Sequence, residues 1–290
     1  MVLGRRAFGA AALAGVGVCA LPASAASSFE IKRLTAKGKH ASRFDLLVPT
    51  SRPAGARTRV LIALHGLGES HDPELGSAAW VDRYGLGGAH ERLLSPPVVP
   101  IGKRKDWTDG RLREVNDSLK QQPFTGLVVV CPFTPSFKGI PDRTKAIGEY
   151  GRWLVSDVLP LVRTEAKVDA SPSLTSIDGC SMGGPFALDI FLANPTVFGA
   201  VGVVQPAFGE HRAPGYAAAL ADALKQHGPR PIHLLSSEGD SFRDATKRLG
   251  AELAKRGVAR TLRITPGPHD QPWLRESGTI EMLLFHAQRP

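Results

Sequence analysis

The sequence predicts an α/β fold with a mostly parallel central sheet and helices on both faces. Three observations lead there. Short apolar runs recur along the chain, helix-period stripes separate them, and each run closes on glycine, proline or small polar residues. The 290 residues are 42% hydrophobic and 22% charged, which suits one globular domain of this class.

The strand candidates follow in order. Residues 42–49 (SRFDLLVP) alternate and end in proline, as an outer strand does. Residues 59–66 (RVLIALHG) and 126–132 (GLVVVCP) are continuous apolar runs, the pattern of strands buried on both faces. Residues 173–179 (SLTSIDG), 198–206 (FGAVGVVQP), 231–240 (PIHLLSSEGD) and 260–270 (RTLRITPGPHD) complete the set. Between them, Ile147, Tyr150, Leu154, Val158 and Leu161 recur at helical spacing. So do Phe242, Ala245, Leu249 and Leu253, with Gly257 as the expected stop. Residues 70–124 fit the alternation poorly. A helix is expected near 82–94 and loop elsewhere, so this segment reads as an inserted binding loop or lid.

The N-terminus reads as an export signal. Arg5-Arg6 precede an apolar run at 7–21, and Ala23-Ser24-Ala25 form a small-residue cleavage site. Arginine pair and following Phe8 are of twin-arginine type. The run is too short to span a bilayer, so the mature chain, 26–290, is expected to have no stable membrane span. Removing residues 1–25 takes Arg5 and Arg6 and no acid, so the net charge falls from +9 to +7. Basic residues such as Lys103-Arg104-Lys105 are not interleaved with aromatics, which argues against nucleic acid as a partner. Cys131 and Cys180 lie in apolar strands, and no His/Cys spacing suits a metal, so no metal or cofactor is expected.

The chemistry gathers around DGCSMGGPFAL, residues 178–188. Gly179-Cys180-Ser181-Met182-Gly183 is a G-x-S-x-G pattern with a strand before it and a helix after it. A serine so placed needs a base and an orienting acid, in the chain order Ser, acid, His. Among Glu238, Asp240 and Asp244, Asp240 stands best at a strand end; it could also simply cap the next helix. His269 follows the last strand, whereas His286 lies on a helix and His227 and His233 flank another strand. Backbone donors for an oxyanion are expected from Met182 and from Leu67, in the His65-Gly66-Leu67-Gly68 loop after an early strand. Trp80, Tyr84 and Trp107 offer an aromatic wall, with Trp107 the candidate substrate contact.

These residues resemble the α/β-hydrolase fold, and within it the putative-esterase family of esterase D, feruloyl esterases and mycolyltransferases. The matching stretches are LHGLG, YGRWLVSDVLPLV, IDGCSMGGPFAL, SSEGDSF and GPHDQPW. The resemblance implies ester hydrolysis or acyl transfer without a metal, with Ser181, Asp240 and His269 as the triad. The expected partner is an ester substrate, such as an acylated carbohydrate or an aromatic ester. An acyltransferase to a sugar, or a binding protein on the same scaffold, are the alternatives. For export, N-terminal sequencing of the secreted protein should begin at Ala26; full-length protein confined to the cytoplasm would contradict it.

Overall fold

In the computed structural model, residues 27–52, 57–169 and 171–289 are described. The export-signal expectation falls on residues 1–25, outside them. Eight strands form one sheet in the order β1-β2-β4-β3-β5-β6-β7-β8. The strands are β1 (Phe29–Thr35), β2 (Arg43–Pro49), β3 (Val60–Leu64), β4 (Val128–Pro132), β5 (Thr175–Gly179), β6 (Ala200–Val204), β7 (Ile232–Gly239) and β8 (Thr261–Pro268). From β4 through β8 every neighbouring pair is parallel, whereas β1–β2 and β2–β4 are antiparallel. Ile62 stands opposite both Val130 and Ile177, so the most apolar runs lie at the centre of the sheet.

Two expectations are corrected. The strand over residues 42–49 is not outermost, because β1 pairs along its whole length. The sequence of β1, FEIKRLT, carries three charges and little apolar surface. Such a strand gives a weak apolar signal, and its charges suit an exposed edge. Nor is segment 70–124 loop outside one helix. It holds three helices, α1 (Pro73–Asp82), α2 (Leu86–Leu94) and α3 (Asp109–Gln121). The helix expected near 82–94 is α2, which begins after Gly85, whose φ is +72°. Asp72 caps α1 through the amides of Glu74 and Leu75, and Thr108 caps α3 through the Arg111 amide. Trp80, Leu86, Leu93, Val115 and Leu119 pack with Leu47, Leu61 and Val129 of the sheet. The segment is therefore one wall of the core. Its small residues (GSAA in α1) and the sparse apolar positions of α3 hid that from periodicity.

The opposite face is covered by α4 (Arg143–Trp153), α5 (Leu159–Ala166), α6 (Gly183–Ala193), α7 (Ala213–His227) and α8 (Arg243–Lys255). Alternation along each strand feeds the two layers: Leu46, Ile62 and Val130 face this side, Leu47, Leu61 and Val129 the other. One π turn, Leu154–Val158, joins α4 to α5 just before Pro160, which cannot donate to the helical ladder. Helix α8 ends as expected. Gly257 takes φ +68°, its amide reaches Ala254 O at 2.9 Å, and the Val258 amide reaches Leu253 O at 3.0 Å. The chain closes with α9 (Gln271–Trp273) and α10 (Thr279–Gln288). Cys131 and Cys180 are buried and free. Among the described residues no helix is long and apolar enough to cross a membrane.

Four histidines are buried in this core. Burial lowers His65 and His90 to about 4 and His233 to about 3, and holds His286 well below its ordinary range. The unfolded chain binds protons that the native chain refuses, so stability is full above pH ~6.5 and falls as the pH drops toward 4. Each refused proton contributes a slope of about 1.4 kcal/mol per pH unit. Ring NMR shifts of these four histidines should stay those of neutral imidazole from pH 7 to pH 5; a ring that becomes protonated above pH 6 would contradict the neutral assignment.

Candidate active site

Strand β5 ends at Gly179, and α6 begins at Gly183, so the chain reverses within three residues. Ser181 sits at the tip with φ +50°, a left-handed conformation rare outside glycine. Such a conformation costs on the order of 1–3 kcal/mol and persists only where neighbours enforce it. They do so here. The Ser181 amide donates to Val204 O at 2.9 Å, and its carbonyl accepts from Ala207 and Gly184 at 2.9 and 3.1 Å. The Cys180 amide donates to Leu64 O at 3.0 Å. A side chain on Gly179 would lie 2.3 Å from Gly183 O, and one on Gly183 would lie 2.6 Å from Leu64 O. The two flanking glycines are thus steric requirements of the turn.

Beneath the turn, Asp178 is fully buried. Its Oδ1 accepts from the Gly179 amide at 2.6 Å, and His286 Nε2 lies 2.9 Å from Oδ2. Burial raises the Asp178 carboxyl well above its ordinary range, outweighing the Gly179 bond. His286 therefore serves the support of the turn.

His269 reaches Ser181 from the end of β8. Its Nε2 is 3.1 Å from Ser181 Oγ, and its Nδ1 is 2.8 Å from Asp240 Oδ1. Asp240 Oδ1 also accepts from the Phe242 amide at 2.9 Å, and Oδ2 from Ser236 Oγ at 2.6 Å. Burial would raise this carboxyl; the bonds from His269, Ser236 and Phe242 outweigh it and hold it below its ordinary value. An ionised Asp240 only accepts, so the Nδ1 proton points to it and Nε2 is left to accept from the serine hydroxyl. The other acids are placed elsewhere: Glu238 and Asp244 both pair with Arg243 on the surface.

A cavity of about 190 Å³ opens over Ser181 and His269, bordered by Gly66, Leu67, Glu69 and Tyr84. The Leu67 side chain is exposed and that of Met182 is buried. Among the described residues, neither of their amides donates to a protein acceptor. His65 orders the loop: its Nδ1 bonds Gly66 O at 2.7 Å, and its Nε2 accepts from the Thr134 amide at 2.8 Å.

A larger cavity, about 410 Å³, lies at the opposite ends of the strands, near Thr261 and the start of β7. Its Arg111 and Arg263 are paired with Glu114 and Glu281, and its Ser118 hydroxyl donates to Gln288 Oε1 rather than to His233.

Trp107 is not brought to the serine. It is buried in the core layer, its indole N–H bonded to Glu276 O and Oε1 at 3.2 and 3.1 Å, and it does not border the 190 Å³ cavity. Trp80 is also buried, edge-on to Tyr84; of the three aromatics only Tyr84 meets the cavity. Arg104, in the basic run, binds Asp106 and Asp270 and straps its loop to the segment after His269. Sequence reasoning missed Glu69, Gln205, Ser236 and Gln271. Gln205 takes φ +46° and bonds Ser237 Oγ and Pro268 O at 2.7 and 3.0 Å, steadying the approach to His269. The only signal for it was its place just past a strand end. Among the described residues, no group of three or more His, Cys, Asp or Glu could hold a metal ion.

Residues 142–263 match the family described as Putative esterase. No curated protein sequence matches the chain. A ferulic acid esterase is similar in structure, with a TM-score of 0.63 and 16% identity, over 90% of this chain and 97% of that one. The ferulic acid esterase AmCE1/Fae1A from Anaeromyces mucronatus, in complex with ferulic acid, has a TM-score of 0.58 and 16% identity, over 91% and 93%. The fluorophosphonate-binding serine hydrolase FphF of Staphylococcus aureus has a TM-score of 0.57 and 13% identity, over 88% and 98%. At these identities the structures establish a shared fold: this chain has the α/β-hydrolase fold. It is similar to the putative-esterase family, and that match supports ester hydrolysis as its reaction class.

Proposed function

We propose that the protein is an exported serine esterase that cleaves carboxylic esters through an acyl-enzyme on Ser181. The observation that carries this reading is the unbroken hydrogen-bonded chain from Ser181 through His269 to Asp240, set on a strained turn. His269 Nε2 takes the Ser181 proton as Oγ attacks the ester carbonyl. Asp240 holds the imidazole and stabilises its cation. The amides of Leu67 and Met182, free of protein acceptors among the described residues, take the oxyanion. The tetrahedral intermediate collapses, the alcohol leaves with the proton from His269, and water then releases the acid by the reverse sequence. The bound ferulic acid of AmCE1/Fae1A favours including aromatic acyl esters among the substrates tested. Arg5-Arg6 and Ala23-Ser24-Ala25 support export to the periplasm or beyond.

A fluorophosphonate probe should add one covalent group at Ser181, and Ser181→Ala should abolish both labelling and ester hydrolysis. Folded wild-type protein left unlabelled by the probe would contradict the reading.

A further inference from the structure

Glu69 is 3% exposed, yet it borders the cavity over Ser181. Its Oε2 accepts from the Tyr84 hydroxyl, and its Oε1 accepts from Gln271 Nε2 at 2.9 Å. The Tyr84 oxygen in turn accepts from the Gly66 amide at 3.3 Å. One carboxylate thus joins three segments: the loop carrying Leu67, the turn between α1 and α2, and α9, which begins two residues after His269.

We infer that Glu69 is a positioning residue that sets the oxyanion loop against the general base; this rests on the esterase reading of the site. A carboxylate accepts at both oxygens and donates at neither. Tyr84 must therefore turn its proton toward Glu69 and present a lone pair to the Gly66 amide. The Gly66 amide is one peptide unit before that of Leu67, so holding it limits how the Leu67 N–H can swing. The bond to Gln271 ties the same carboxylate to the segment that carries His269. Proton acceptor and oxyanion donors are then held at one spacing, as a developing charge requires. Burying a carboxylate is costly, and Glu69 meets that cost with two neutral donors, Tyr84 and Gln271. Packing alone would be served as well by an uncharged side chain.

The test is steady-state hydrolysis of one soluble ester by wild type, Tyr84→Phe, Glu69→Ala, Glu69→Gln and Gln271→Ala, with Tm measured for each. Tyr84→Phe and Glu69→Ala should lower kcat about 10–100-fold while KM stays within about twofold, because the loss falls on the transition state. Glu69→Gln keeps an acceptor for Tyr84 and should recover most of that loss. The Tyr84→Phe/Glu69→Ala double variant should be no slower than the slower single, since both cut one relay. Gln271 is only partly buried, so Gln271→Ala keeps the fold and should still lower kcat severalfold. Folded variants with wild-type kcat, or single losses that multiply in the double variant, would overturn the inference. An active wild type with unaffected variants overturns this inference alone; a wild type inert to both ester and fluorophosphonate overturns the esterase reading, and this inference with it.

Discussion

The structure depends on the close contact between the end of β5 and the start of α6. With 2.3 Å between the Cβ position of residue 179 and Gly183 O, only a glycine pair lets the two elements meet. That contact forces Ser181 into a left-handed conformation, and Val204 and Ala207 hold it there through backbone bonds while Leu64 holds Cys180 beside it. The sheet order follows the same need. Strand β5 lies between β3 and β6, so Leu64 and Val204 flank the turn from both sides. The ends of β3, β7 and β8 then deliver Leu67, Asp240 and His269 to one edge of the sheet, where parallel strands finish and loops carry function.

Electrostatics sorts the titratable groups into two kinds. Asp240 is buried but has three donors, so it is held below its ordinary value and orients a half-exposed imidazole. Asp178 is buried with fewer donors and is driven up. His65 and His286 are driven down and act as neutral supports. Residue type alone would not separate these histidines from His269. The difference lies in solvent access and in the number of donors and acceptors that each group meets.

Much of this was legible in the sequence. Strands buried on both faces, such as VLIAL and VVVCP, declare themselves by continuous apolar runs, and the positions of Ser181, Asp240 and His269 follow from chain order and strand ends. Trp107 misled because an aromatic beside a basic run reads equally as a pocket wall or as core; its bond to Glu276, 169 residues away, decides for core. Helices α1 and α3 of 70–124 were hidden because glycine, proline and charge dominate a segment whose burial depends on the sheet beneath it, whereas α2 lies where a helix was expected. Glu69 was invisible for a similar reason. Its partners, Tyr84 and Gln271, lie 15 and 202 residues distant, and no local pattern links them.

The central claim is that a chain of hydrogen bonds ending at Asp240 makes Ser181 reactive. The most direct measurement is kcat for ester hydrolysis by Asp240→Asn, with folding checked by Tm. An amide at this position can donate to Nδ1 and favour the wrong imidazole tautomer, leaving Nε2 protonated toward the serine. The account predicts a fall in kcat on the order of 10⁴-fold with KM little changed, the size of effect known for such a replacement in a serine protease triad. A folded Asp240→Asn enzyme within about tenfold of wild type would contradict it.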